Sequence, residues 1–236
     1  MVRTDLLLGA VLTVTLSSAA MADPPIGSRL GSRLEGSPEK VKEAEAAKRG
    51  HEYATCLVNK REPYARRLLA AATPEEFDRA RRAMNAGELN CYTGFEGGEF
   101  AEGRMFYVPS DLLRGLLAEQ MLKREKNEVA ALAPLPRQQI YKRLWFAATA
   151  RNVAVDEMAT CVAETAPAQT MAVFSTVPYS DAEGAAMRAL SPSMGPCLSA
   201  GAKLHANRQS LRAALADALY QRLHQPAAAA PPTATK

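Results

Sequence analysis

The sequence predicts an all-α protein, a tandem duplication of a disulfide-closed helical unit of about 90 residues. Three observations predict it. No segment of the 236 residues alternates polar and apolar side chains with the period of two that a half-buried strand requires. The four cysteines fall into two pairs, Cys56 with Cys91 and Cys161 with Cys197, 35 and 36 positions apart. The stretch Leu113-Arg114-Gly115-Leu116-Leu117-Ala118-Glu119 returns near the C-terminus as Leu211-Arg212-Ala213-Ala214-Leu215-Ala216-Asp217.

Taken from the N-terminus, residues 1–22 read as a signal peptide. Arg3 supplies positive charge, Leu6 to Leu16 an uncharged apolar run, and Ala20-Met21-Ala22 small residues where a signal peptidase reads them. Ser18-Ala19-Ala20 offers a second cleavage site. A bilayer span needs roughly 20 apolar residues and this run is about half that, so an anchor is the weaker reading. No later stretch is apolar enough to span, and the mature form is expected in the periplasm or secreted. Oxidising conditions, an even cysteine count and the absence of a CxxC pattern point to disulfides rather than zinc or a redox centre. Three pairings are possible in principle; duplication favours Cys56 with Cys91 and Cys161 with Cys197.

Residues 23–36 carry Pro24-Pro25 and a short GSRL repeat and are expected to be flexible. Helical unit 1 spans 37–126. Ser37-Pro38-Glu39 opens a helix that runs to about Arg61, where Pro63 ends or bends it before a short helix over Tyr64 to Ala72. Thr73-Pro74-Glu75-Glu76 is a capping box, in which the hydroxyl accepts from a backbone N–H and the glutamate reaches back. Residues 127–135 form a linker, and unit 2 spans 136–224. Arg137 to about Thr165 is expected to be one long helix or two; Pro167 answers Pro63, and Ser180-Asp181-Ala182-Glu183 answers the first box. Apolar spacing in both repeated LR-stretches predicts amphipathic helices. Residues 225–236, rich in Ala, Pro and Thr, read as a disordered tail.

A net charge of +4 is too small for a nucleic-acid signature. Basic Lys60, Arg61, Arg66, Arg67, Arg79, Arg81 and Arg82 interleave with Glu62, Glu75, Glu76 and Asp78, as on a solvated helix face. His51, His205 and His224 lack ligand partners at helical spacing, His51 reads as a solvated helix residue, and no metal or cofactor is expected. No GxSxG elbow, phosphate loop or dinucleotide fingerprint occurs.

Two further features stand out. Between Cys91 and Leu113 unit 1 is longer than unit 2, and the additional residues hold glycines, acids and aromatics: Phe95, Glu96, Glu99, Phe100, Glu102, Arg104, Phe106 and Tyr107 form a candidate contact loop. Arg114 with Glu119, and their counterparts Arg212 with Asp217, are expected to form a structural ion pair inside each unit.

The order cysteine, proline, capped helix, cysteine and LRGxLAE resembles a group of exported bacterial proteins of uncharacterised activity. Here it is Cys56, Pro63, Thr73, Cys91 and Leu113 to Glu119, then Cys161, Pro167, Ser180, Cys197 and Leu211 to Asp217. The resemblance implies architecture and export, and no ligand or catalytic residue. The expected function is a non-catalytic protein binding a protein partner or envelope component, with the oligomeric state left open. Alternatives are an envelope hydrolase using carboxylates such as Glu96, Glu99 or Glu102, and a periplasmic chaperone-like protein. Two close acids in a concave pocket would favour the hydrolase; exposed apolar surface without them favours interaction.

Overall fold

Ala, Glu and Lys, the best helix formers, fill the first part of α1 (Glu43–Leu69). The computed structural model describes residues 31–32, 43–86, 91, 106–198 and 206–225; the expected helix start at Ser37 lies outside them. Pro63 cannot donate the helical bond to the preceding turn, and α1 kinks at Arg61 (φ −141°, ψ 37°). Thr73 and Glu76 complete a capping box for α2 (Pro74–Asn85). Then follow α3 (Ser110–Arg124) and the single turn α4 (Lys126–Ala130).

The helices of the second half-sequence follow in order. α5 (Val153–Thr165) and α6 (Pro167–Phe174) meet at Ala166, whose φ of −139° and ψ of 54° nearly copy the Arg61 break. Ser180 caps α7 (Asp181–Met194), with Glu183 accepting from the Tyr179 N–H as Glu76 does from Ala72. A 3-10 turn (Gly195–Cys197) follows, and Asn207 caps α8 (Arg208–His224). The disulfides are Cys56–Cys91 and Cys161–Cys197, each with a Cα separation of 5.6 Å.

Two expectations need correction. The stretch from Arg137 to Thr165 is α-helical only from Val153, with a 3-10 turn at Leu144–Ala148. Ala150 takes a positive φ of 56°, which a helix cannot contain, and Asn152 turns its side chain back to cap α5. Trp145 and Phe146 meanwhile fix the 3-10 turn in the core. Second, Gly31–Ser32 and Phe106–Tyr107 pair as two-residue antiparallel strands β1 and β2.

The two half-sequences have one core between them. Leu57, Leu68 and Leu69 of α1, Phe77 and Met84 of α2, Leu117 and Met121 of α3, Met158 and Val162 of α5, and Leu215 and Leu219 of α8 belong to one apolar cluster. α8 packs on both α3 and α5, and α3 on α1. The two LR-helices are therefore buried around most of their circumference, not amphipathic. Arg114, Glu119, Arg212 and Asp217 are enclosed along with their leucines. No helix among the described residues is long and apolar enough to cross a membrane.

Candidate functional site

α3 and α8 touch backbone to backbone. A Cβ on Gly115 would lie 2.3 Å from the Ala213 Cα, so only glycine fits at that point. The contact sets each arginine against the acid of the other helix. Arg114 Nε donates to Asp217 Oδ2 at 2.7 Å, and Arg212 donates to both Glu119 oxygens, Nε at 2.8 Å and Nη2 at 2.9 Å. All four side chains are at most 4 % exposed. The ion pairs expected inside each unit thus form between the two half-sequences. Residues five apart on one helix point to different faces, whereas three or four apart would share one, so Arg114 cannot turn to Glu119 without leaving α8.

A second ring of partners satisfies these charges. Arg114 donates to the carbonyls of Ala71 at 2.9 Å and Leu69 at 2.6 Å; Arg212 donates to the Thr176 carbonyl at 3.0 Å and Glu183 Oε1 at 2.7 Å. One turn along each helix, Lys123 donates to Glu119 at 2.7 Å and Gln221 to Asp217 at 3.3 Å. Arg151 enters from the segment before α5, donating to Asp217 at 2.6 Å, Asp156 at 2.7 Å and the Asp111 carbonyl at 2.8 Å. The Trp145 ring lies 5.6 Å from the Arg114 guanidinium carbon. Sequence reasoning missed Arg151, Asp156 and Trp145, for which no local pattern exists. It found Glu183 only as a cap, although that residue also holds Arg212.

His51, expected in solvent, is instead 14 % exposed, with Nδ1 3.5 Å from Glu119 Oε1. It lies on the inner face of α1, beside Ala47 and Leu116. Burial is the main cause that drops its pKa to about 4; Glu119 opposes this, and Arg212 and Lys123 add to it. Near neutral pH the ring is uncharged. Burial opposes ionisation of Glu119 as well, but the Arg212 hydrogen bonds, with His51 and Lys123, hold its pKa down at about 2. Burial raises the pKa of Asp156 against the pull of Arg151, while Asp156 and Asp217 overcome burial to raise that of Arg151.

Ala47, His51, Leu116, Glu119, Tyr179 and Arg208 line a cleft at this crossing whose free volume is about 20 Å³. That is room for a water molecule and not for a substrate. Its two acids, Glu119 and Glu183, are both bound to Arg212, and Glu119, held ionised there, has no proton to give. The crossing is built to hold the fold together.

Of the candidate contact loop, Phe95, Glu96, Glu99, Phe100, Glu102 and Arg104 lie outside the described residues, and Phe106 and Tyr107 form β2. Part of the basic cluster is engaged: Arg61 donates to the Ala86 carbonyl, Arg66 pairs with Glu62 and Glu125, and Arg81 donates to Ser110 and the Val108 carbonyl. His224 meets Glu125 at 2.8 Å, and His205 lies outside the described residues. Among the described residues no group of three or more His, Cys, Asp or Glu is placed to hold a metal ion.

Apolar exposure is concentrated elsewhere. Leu135, Ile140, Leu144 and Val153 are 42 %, 64 %, 86 % and 55 % exposed, and all belong to the irregular stretch joining α4 to α5 or its end. Comparison with protein-family models, curated proteins and solved structures returns no match to this chain.

Proposed function

We propose that this chain is an exported, non-catalytic binding protein whose partner docks on the stretch between α4 and α5. The observation that carries this reading is the exposure of Leu135, Ile140, Leu144 and Val153 along one connection; of the large apolar side chains exposed among the described residues, Val177, before α7, is the one that lies elsewhere. An irregular connection of this length inside a compact domain is uncommon unless it serves a function, and exposed apolar side chains recurring along one segment give it something to bind with. Leu144 is the sharpest case: its neighbours Trp145 and Phe146 are buried while it faces solvent. Export is supported by the two disulfides, which persist in oxidising compartments, and by the signal-like N-terminus.

We read the scaffold as a fused duplicate, and four paired features support this. They are the matching breaks at Arg61 and Ala166, the hydroxyl N-caps Thr73 and Ser180 each followed three residues on by a glutamate that reaches back, the two disulfides and the reciprocal arginine–acid pairs with their partners Lys123 and Gln221. The test of function is affinity capture from a periplasmic extract with the full chain and its Leu144→Asp variant. A partner retained by the parent and lost by the variant, with unchanged melting, is the expected result. Equal capture by both, or none by either, would refute the docking surface.

A further inference from the structure

Resting on that reading of the α4–α5 stretch, we infer that its groove takes a peptide segment of the partner carrying a carboxylate side chain beside an apolar one. The groove is lined by residues 137–142, Glu157 of α5 and Pro196–Leu198, and has a free volume of about 600 Å³. That is the size of sites that enclose ligands, unlike the water-sized cleft at the helix crossing.

Its walls are fixed before anything binds. Tyr141 accepts from the Gln138 N–H at 2.7 Å, Gln138 Nε2 donates to Glu164 at 3.1 Å, and Arg137 donates to the Pro196 carbonyl. The Cys161–Cys197 disulfide ties the far wall to α5. A preformed groove loses little freedom on binding, which favours affinity for a short segment.

The lining sets the chemistry of the occupant. Arg137 and Lys142 stand in solvent on one wall, and the Lys142 ammonium has no ion pair or hydrogen bond among the described residues. Glu157 is the single acid of the lining, so the groove carries excess positive charge and favours a carboxylate. Ile140, between the two cations and 64 % exposed, offers an apolar contact. The backbone N–H groups of Gln139, Ile140 and Lys142 make no hydrogen bond among the described residues and are open to a peptide's carbonyls.

The test uses the full-length oxidised protein and three labelled, end-capped octapeptides, alternating Leu with Asp, Asn or Lys, followed by fluorescence anisotropy. The Asp–Leu peptide is expected to bind best, to weaken with added salt, and to lose about fivefold to tenfold in affinity to Lys142→Glu. Lys142→Arg should retain binding, and Ile140→Ser should weaken it with the charge intact. Both sites are exposed, so melting curves should stay at the parental value. Equal binding of the Asn–Leu peptide, indifference to Lys142→Glu, or binding only to anionic vesicles would overturn the inference. If no peptide binds yet Leu144→Asp still abolishes partner capture, the groove is excluded and the docking surface stands; if that variant also captures normally, both fail.

Discussion

Arg114 and Asp217 are 103 residues apart in the chain and 2.7 Å apart in space. Between them they join the first half-sequence to the last helix, at a depth where neither side chain reaches water. A buried pair of this kind is dangerous to break, because the survivor is left charged and unsolvated. Its neighbours show how the fold avoids that: every donor direction of Arg114 that is used ends on Asp217 or on the carbonyls at the end of α1.

The close approach of α3 and α8 at Gly115 gives the simplest prediction. Gly115→Ala should destabilise the protein by about 3 kcal/mol, since the new methyl group would strike the Ala213 backbone rather than a side chain that can move. Gly195→Ala, where nothing lies within 4 Å of the added Cβ, should change stability by less than about 0.5 kcal/mol. Urea unfolding of the two variants checks both values.

Acid should weaken the fold in two stages. The folded pKa of His51 is depressed to about 4 from 6.5, so the unfolded chain binds this proton first, and stability falls as pH drops from 6.5 to 4. The loss is about 3 kcal/mol by the linkage relation. Glu119, depressed to about 2 from 4.5, contributes stability that is present above pH 4.5 and lost as pH falls through 2. His51→Gln should flatten the upper stage and leave the lower one. Urea midpoints at closely spaced pH values would show it, and an unaltered profile in the variant would remove His51 as the cause.

Each disulfide closes its own half-sequence, so the two should act separately. Replacing Cys56 and Cys91 together by serine should cost roughly 3.5–4 kcal/mol, with a similar figure for Cys161 and Cys197. Peptide mapping without reductant should recover those two links and no peptide joining Cys91 to Cys161.

The helical class, the Thr73 capping box, the Ser180 cap and the break near Pro63 were legible because each is written in residues close together in sequence, and the cysteine pairs because their near-equal spacing recurs. Thr73 and Glu76 are three positions apart, and the proline acts on its own turn. What joins the halves was not legible. Repetition of Arg114 and Glu119 as Arg212 and Asp217 marked those residues, but only packing decides which acid each arginine meets. Arg151 carries no signal at all, because its three acceptors come from residues 111, 156 and 217. The irregular stretch from Arg137 to Asn152 misled for a related reason: its Trp145 and Phe146 are held by tertiary contacts that override local helical preference.

The account turns on the exchange of partners across the α3–α8 crossing, and a pair of double-mutant cycles tests it most directly. Arg114→Met and Asp217→Asn, alone and together, should show a coupling of about 2 kcal/mol or more in urea unfolding, whereas Arg114→Met with Glu119→Gln should show less than about 0.5 kcal/mol. Coupling within the Arg114 and Glu119 pair, with none between Arg114 and Asp217, would contradict it.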